Sequence, residues 1–212
     1  MSNLRFLVIE GNIRAGKTTL SQKIAADFNA KLILERFAEN PFLPKFYENP
    51  ERYSFPLELA FLADRYQQLK EELSNPNLFH PLTIADYFFM KSLIFSKQTL
   101  SDDEYNLFRQ LFEIIYKSLP KPDLFVYLSM TTKRLLYQIN LRGRTYEQNI
   151  TAQYLEKINS SYLDFIKQQN QLTILIIDVN NLNFVNNFEH YQKITKAIFS
   201  NDYKPGTTTI IH

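Results

Sequence analysis

Cysteine is absent from the 212 residues. Without thiols the chain can build neither a disulfide framework nor a thiolate zinc site, which fits a reducing compartment. Charge of one sign is lacking as well. The formal net charge is +2, the lysines and arginines form no run, and nucleic acid is unsupported as a main partner. No segment is long and apolar enough to span a bilayer. The N-terminus lacks a signal peptide's layout, so no membrane partner is expected and the expected location is the cytoplasm. There is no internal repeat and no low-complexity linker. What remains, 45% apolar and 22% charged residues, is the composition of a soluble globular protein. Its length suits one domain with a sizeable core, expected over residues 1–200, followed by a tail at 201–212.

Glycine is scarce. The four are Gly11, Gly16, Gly143 and Gly206, and two of them fall inside eight residues, Gly11-Asn12-Ile13-Arg14-Ala15-Gly16-Lys17-Thr18. This stretch fits the phosphate-binding pattern G-x-x-x-x-G-K-[ST] without a mismatch. Backbone N–H groups must turn inward around phosphate oxygens, and a Cβ at the tightest points would clash. Lys17 is placed to reach the β- and γ-phosphates, the Thr18 hydroxyl to sit on Mg²⁺, and Thr19 to extend the contact set. The context agrees. Leu4 and Phe6 to Ile9 read as a buried strand ending at Glu10, and Leu20, Ile24, Ala25 and Phe28 follow at helical spacing. The helix N-terminus then adds its partial positive charge at the phosphates.

Further strands are expected at Lys31–Leu34, Leu82–Ala85, Leu124–Ser129 and Leu172–Asp178. Helices are expected at about Ser54–Leu73, Tyr87–Phe95, Ser101–Leu119, Thr132–Leu141, Thr151–Lys167 and Glu189–Phe199. Asn40 to Pro44 cannot be regular helix throughout, because each proline disfavours helix in the residue before it. Ser101-Asp102-Asp103-Glu104 is a capping box. The helix it opens is apolar nearly all round, hence deeply buried or packed on another subunit. Pro205 to Ile211 has strand-like residues with no obvious partner, so it is either disordered or added to a sheet edge. The alternation predicts an α/β, three-layer P-loop NTPase fold with a five-stranded parallel sheet flanked by helices. Ligands then bind at the carboxyl ends of the strands, where Glu10, Glu35, Asp86 and Asp178 converge.

Two tracts are more specific than the phosphate loop: Phe46-Tyr47-x-x-Pro50-x-x-Tyr53-x-Phe55-Pro56-x-Glu58, and Arg142-x-Arg144-x-x-Glu147 followed by Tyr154-Leu155 and Tyr162. With them the chain resembles the deoxynucleoside kinases over most of its length. The resemblance implies ATP as donor with Mg²⁺, and a deoxynucleoside 5′-hydroxyl as acceptor. It implies Glu35 as general base, Tyr47 and Glu147 as the pair on the sugar 3′-hydroxyl, and Arg142 and Arg144 as a lid, with Gly143 letting the lid flex. The apolar helices Ser54–Leu73 and Asp102–Leu119 fit the family's homodimer interface, and core burial competes with that reading. Asp178 to Asn187 falls at the loop around the ATP adenine.

Three departures stand out. The family's acid-Arg-Ser triplet after the third strand reads Ala85-Asp86-Tyr87 here. Asp86 keeps the Mg²⁺-ligand role, and Lys91 or Arg65 is a candidate source of the missing charge. Arg14 replaces a small residue and either adds a phosphate contact or points to solvent. Glu58 replaces a base-reading glutamine. A carboxylate offers only acceptors, and guanine's adjacent N1–H and N2–H₂ donors match it best. Glu58 therefore either favours deoxyguanosine or another purine pose, or pairs with a nearby cation. A thymidylate-kinase-like enzyme, needing a cationic acceptor site near Arg36 and Arg65, and a catalytically degenerate ATP-binding regulatory protein remain as alternatives.

Overall fold

The apolar run after the N-terminus becomes the central strand of a parallel sheet. In the computed structural model, residues 4–36, 40–74, 79–143, 150–199 and 203–210 are described. The chain divides into two compact units, one of Met1–Leu34, Asn77–Phe88 and Lys121–His212, the other of Glu35–Pro76 and Phe89–Pro120.

Among the described residues, the strands all lie in the first unit: β1 (Phe6–Gly11), β2 (Lys31–Ile33), β3 (Thr83–Ala85), β4 (Leu124–Ser129), β5 (Thr173–Asp178) and β6 (Gly206–Ile210). Their spatial order is β2-β3-β1-β4-β5-β6, and every pair is parallel. The sheet thus has six strands where five were expected. The sixth comes from the tail, whose Thr207 lies opposite Ile174 and Thr209 opposite Ile176. Its β-branched threonines suit a strand. Their partner lies more than thirty residues away in sequence and is invisible to local pattern.

Buried runs such as Phe6 to Ile9 and Leu124 to Leu128 are apolar at consecutive positions, as strands covered on both faces require. On one face Leu7, Ile9, Val126, Leu128, Leu175 and Ile177 pack with Leu20 and Ile24 of α1 (Lys17–Asp27). Leu135 and Ile139 of α6 (Thr132–Arg142) join the same core, as does Ile194 of α8 (Phe188–Phe199). On the other, Phe125 meets Phe165, and Tyr127 meets Tyr162, both from α7 (Ala152–Gln168). β1 lies between β3 and β4, so the loop after β1 opens where the chain order of the strands reverses, the usual ligand position in such sheets.

The second unit is helical: α2 (Phe42–Glu48), α3 (Pro50–Leu73), α4 (Lys91–Thr99) and α5 (Asp102–Tyr116). Helix α2 contains Pro44 in its first turn, where the missing N–H has no intrahelical partner to lose. Asn49 then caps α3 by accepting the Arg52 N–H. Two expectations are corrected. The helix expected at Tyr87–Phe95 begins only at Lys91. Tyr87 and Phe88 are instead fully buried, non-helical residues of the first unit, because the backbone N–H of Phe88 is taken by the Glu10 carboxylate. Helix α5 is not deeply buried all round. Phe108 and Phe112 are covered, while Leu107 is 51% and Ile114 71% exposed. The capping box holds, with Glu104 accepting from the Ser101 N–H and hydroxyl. Among the described residues no helix is long and apolar enough to cross a membrane.

Candidate active site

In the first unit the site grows from the turn after β1. Gly11 leaves the strand where a Cβ would stand 2.9 Å from the Leu128 carbonyl oxygen. Gly16 has φ 91°, and a Cβ there would meet the Phe184 ring at 2.5 Å. Both positions therefore demand glycine, for close approach and, at Gly16, for its left-handed backbone. Helix α1 starts at the next residue, so its N-terminal turn follows directly on the loop. The Lys17 ammonium donates to the Gly11 and Asn12 carbonyls, both at 2.9 Å. It is thus held across the loop mouth. Thr18 donates its hydroxyl to Asp86 Oδ2 at 2.5 Å. A hydroxyl and a carboxylate this close, beside a phosphate-binding turn, form an oxygen donor set that fits Mg²⁺, which keeps several waters and takes one or two carboxylates plus phosphate oxygens.

Glu10 is the buried support of this arrangement. It is 0% exposed. Its Oε2 accepts from the Gly11 N–H at 3.1 Å and the Tyr162 hydroxyl at 2.8 Å, and its Oε1 from the Phe88 N–H at 2.8 Å. Hydrogen bonds to a charged group contribute roughly 1.5–3 kcal/mol each, which offsets the cost of burying the carboxylate. Glu10 thereby ties the start of the loop to the segment two residues past Asp86 and to α7. Asp178, the other strand-end acid of this unit, accepts from the Asn180 N–H and side-chain amide and shapes the turn after β5.

The second unit carries a separate charged cluster. Arg65 of α3 donates two N–H groups to Glu35 Oε1, at 2.9 and 2.7 Å, and a third to the Ser92 hydroxyl at 2.8 Å. Lys91 of α4 pairs with Glu35 Oε2. Burial raises the Glu35 carboxyl, but the charges of Lys91 and Arg65 outweigh it and hold the group at about 2. On α3, two turns before Arg65, Glu58 is 3% exposed and accepts from the Thr99 hydroxyl at 2.9 Å. Burial pushes it up to about 7. The Arg65 and Lys91 charges and the Thr99 hydrogen bond pull it down, and Glu35 adds a smaller upward push. Two glutamates in one helical unit are thus driven in opposite directions. The cations are committed to Glu35, and Glu58 is left with a hydroxyl. Tyr47 lies on α2, 36% exposed, with its ring 5.4 Å from that of Phe46.

The family model for deoxynucleoside kinases matches residues 7–202. The chain belongs to the deoxynucleoside kinase family. A deoxyguanosine kinase of Bacillus subtilis is 36% identical over 202 residues, covering 93% of this chain and 98% of its own. A deoxyadenosine/deoxycytidine kinase of the same organism is 28% identical over 198 residues, covering 92% and 91%. Among solved structures, the M. mycoides deoxyadenosine kinase with the products dCMP and a flexible dCDP superposes with a TM-score of 0.79 at 25% identity. That match covers 92% of this chain and all of the other. Deoxynucleoside kinases are phosphotransferases, and this chain is one of them by family.

Within this kinase, the first unit brings together Gly11 to Thr19, Asp86 and the α6 terminus with Arg142. The second brings together Glu35 and Glu58 with Arg65 and Lys91, the two cations weighed as replacements for the missing arginine. Arg144 and Glu147 lie outside the described residues. Tyr87, at the place where the resemblance implies an arginine, is a fully buried core side chain. Arg14 donates to the Gln138 carbonyl of α6, a partner neither sequence reading foresaw. Sequence reasoning also missed the anchoring role of Glu10. Its only local signal was a charged residue closing an apolar strand.

The raised Glu58 carboxyl has a consequence for stability. An unfolded chain releases this proton near the ordinary 4.5, the folded chain near 7. Between those values the folded state binds more protons, so folding stability falls as pH rises through the window, by at most roughly 3 kcal/mol. Replacing Glu58 with Gln should therefore raise Tm at pH 8 by several degrees more than at pH 5. Equal shifts at both pH values would show that the carboxyl titrates normally.

Proposed function

We propose that the chain transfers the γ-phosphoryl group of ATP to the 5′-hydroxyl of a deoxynucleoside, with a purine, deoxyguanosine first, as the favoured acceptor. The observation that carries the reading is the intact phosphate loop with Thr18 bonded to Asp86 in a member of this family. Gly11 to Thr19 would wrap the phosphates, with the Lys17 charge beside the β- and γ-groups. Thr18 and Asp86 would hold Mg²⁺, which when bound neutralises charge on the phosphate oxygens. The acceptor's 5′-oxygen bonds to the γ-phosphorus as the bond to the β-bridging oxygen breaks, giving a deoxynucleoside monophosphate and ADP. Glu35 takes the hydroxyl proton. A carboxylate held at about 2 is a weak base, but a loose transition state asks for little proton removal until the new bond is well formed. Its task is therefore mainly to orient the hydroxyl. Arg142 and Arg144 would neutralise the equatorial oxygens, and Tyr47 and Glu147 would read the sugar 3′-hydroxyl.

Glu58 supports the purine reading. Its carboxyl is buried without a cation of its own, since Arg65 and Lys91 both bond Glu35. Guanine's paired donors would supply the missing partners and hold the group ionised. The 36% identical relative is named a deoxyguanosine kinase, which points the same way. The thymidylate-kinase-like alternative loses support, because Arg65 bonds Glu35 and Ser92 within its unit. We read the exposed Leu107 and Ile114 of α5 as a homodimer face.

The decisive assay is ADP release with each of the four common deoxynucleosides, and with their monophosphates as controls. Wild type should respond most to deoxyguanosine, and Glu35→Gln should lower kcat by about a hundredfold or more. Silence with all four nucleosides overturns the kinase reading. Glu58→Gln should shift preference away from deoxyguanosine, and an unchanged profile removes Glu58 from base selection. For the dimer face, sedimentation of Ile114→Glu should report a monomer where wild type is a dimer. An unchanged mass rejects that face.

A further inference from the structure

We propose that the phosphate loop clamps the two helices that frame residues 143–151, through Arg14 on α6 and Asn12 on α7, and that Arg14 is a positioning residue for Arg142 and not a phosphate ligand. The proposal rests on the reading of Arg142 as a group that neutralises the transferring phosphoryl.

Arg14 has φ 68°, a left-handed conformation that L-residues with a full side chain adopt only when their surroundings hold them there. Its guanidinium is what reaches such a holding point. Nη2 donates to the Gln138 carbonyl oxygen at 3.3 Å, across 124 residues of sequence. Helix α6 ends at Arg142, and Gly143 follows in a left-handed cap. In an α-helix the carbonyl of residue 138 is the acceptor for the N–H of residue 142. Arg14 therefore binds the very carbonyl on which the Arg142 turn is built. Its positive charge also lies toward the C-terminal, partially negative end of α6, where a cation is favoured.

Asn12 performs the matching task on the other side. It is 1% exposed. Its amide donates to the Leu155 carbonyl at 2.8 Å and to Asn159 Oδ1 at 2.7 Å, while its own Oδ1 accepts the Ile13 N–H at 2.7 Å. Leu155 and Asn159 lie in the first two turns of α7, which opens at Ala152. Asn159 is itself fixed, accepting from the Tyr127 hydroxyl at 3.2 Å and donating to the Met130 carbonyl at 3.3 Å. Two loop residues, two positions apart, thus hold the C-terminal part of α6 and the first turns of α7. Any shift of the loop on binding phosphates reaches both helix ends. An arginine spent on a helix carbonyl sets where Arg142 starts from. A small residue at position 14 would leave the α6 end untethered from the loop.

The experiment compares Arg14→Ala, Arg14→Gly and Arg14→Lys, alone and with Arg142→Ala, by steady-state kinetics, equilibrium ADP binding and thermal unfolding. Arg14→Ala should lower kcat about tenfold while changing the KM for ATP and the ADP affinity by no more than about threefold. In the Arg142→Ala background it should cost nothing further, since the two act as one unit. Arg14→Gly should lose activity like alanine yet raise Tm, because glycine accepts the left-handed backbone. A merely structural role would make activity follow stability instead. Arg14→Lys should recover part of kcat. A tenfold or greater loss of ADP affinity in Arg14→Ala would make Arg14 a phosphate ligand and overturn the proposal. So would a kcat loss fully additive with Arg142→Ala. Arg142→Ala with wild-type kcat would overturn the reading of Arg142 itself and the clamp with it, a result distinguishable from additivity.

Discussion

The buried carboxylate of Glu10 is the constraint on which the first unit depends. It closes the central strand, and donors reach it from three parts of the chain: the first glycine of the phosphate loop, the backbone two residues past Asp86, and a tyrosine of α7. A carboxylate sealed from water must have its lone pairs satisfied. The geometry of those three parts is therefore set together. The short contact between Thr18 and Asp86 is a consequence, since one partner follows the loop and the other precedes the anchored Phe88. Burial and the negative charge of Glu10 also push the nearby Tyr127 phenol up. That phenol stays a hydrogen-bond donor to Asn159, which in turn holds Asn12.

The second unit uses charge differently. Glu35 has a cation on each oxygen, and breaking such a nearly buried set by removing one partner costs about 3–5 kcal/mol. Arg65 and Lys91 are thereby bound to a structural task as well as an electrostatic one. Beside Asp86, where the resemblance implies an arginine, Tyr87 fills the core. The departure is one of architecture as well as of residue type. A tyrosine serves the sheet, and the cations of the helical unit gather on the glutamate. Glu58, seven residues from Arg65 on the same helix, accepts a hydroxyl, and burial is the largest of the effects that raise it.

Much of the fold was legible because its signals are local. β4 coincides residue for residue with the expected Leu124–Ser129 strand. Helix α6 starts at the expected Thr132 and α7 one residue after the expected Thr151, and the Ser101–Glu104 box is in place. Strand periodicity and caps need only neighbours within four residues. The one misplaced helix start and the choice left open for the tail share the opposite property. The aromatic run from Tyr87 looked helical by composition, yet a carboxylate 78 residues away claims the Phe88 N–H. The threonine-rich tail had no visible partner until β5 supplied one.

By itself, the sequence determined that Gly11–Thr18 fits the phosphate-binding loop pattern, that the chain is an α/β protein with a parallel sheet, and which glutamates and arginines are candidates for the chemistry. Those conclusions follow from steric and hydrogen-bonding rules that act over a few residues. Only the tertiary structure decided what each candidate faces. Arg14 reaches a helix carbonyl, Glu35 is held by two cations, Glu58 is left with a hydroxyl, and Glu10 supports the loop. Apart from the Glu10–Gly11 bond, each of these contacts joins side chains or backbone from distant parts of the chain. A charge or a donor has no fixed effect until burial and its partners set its free energy.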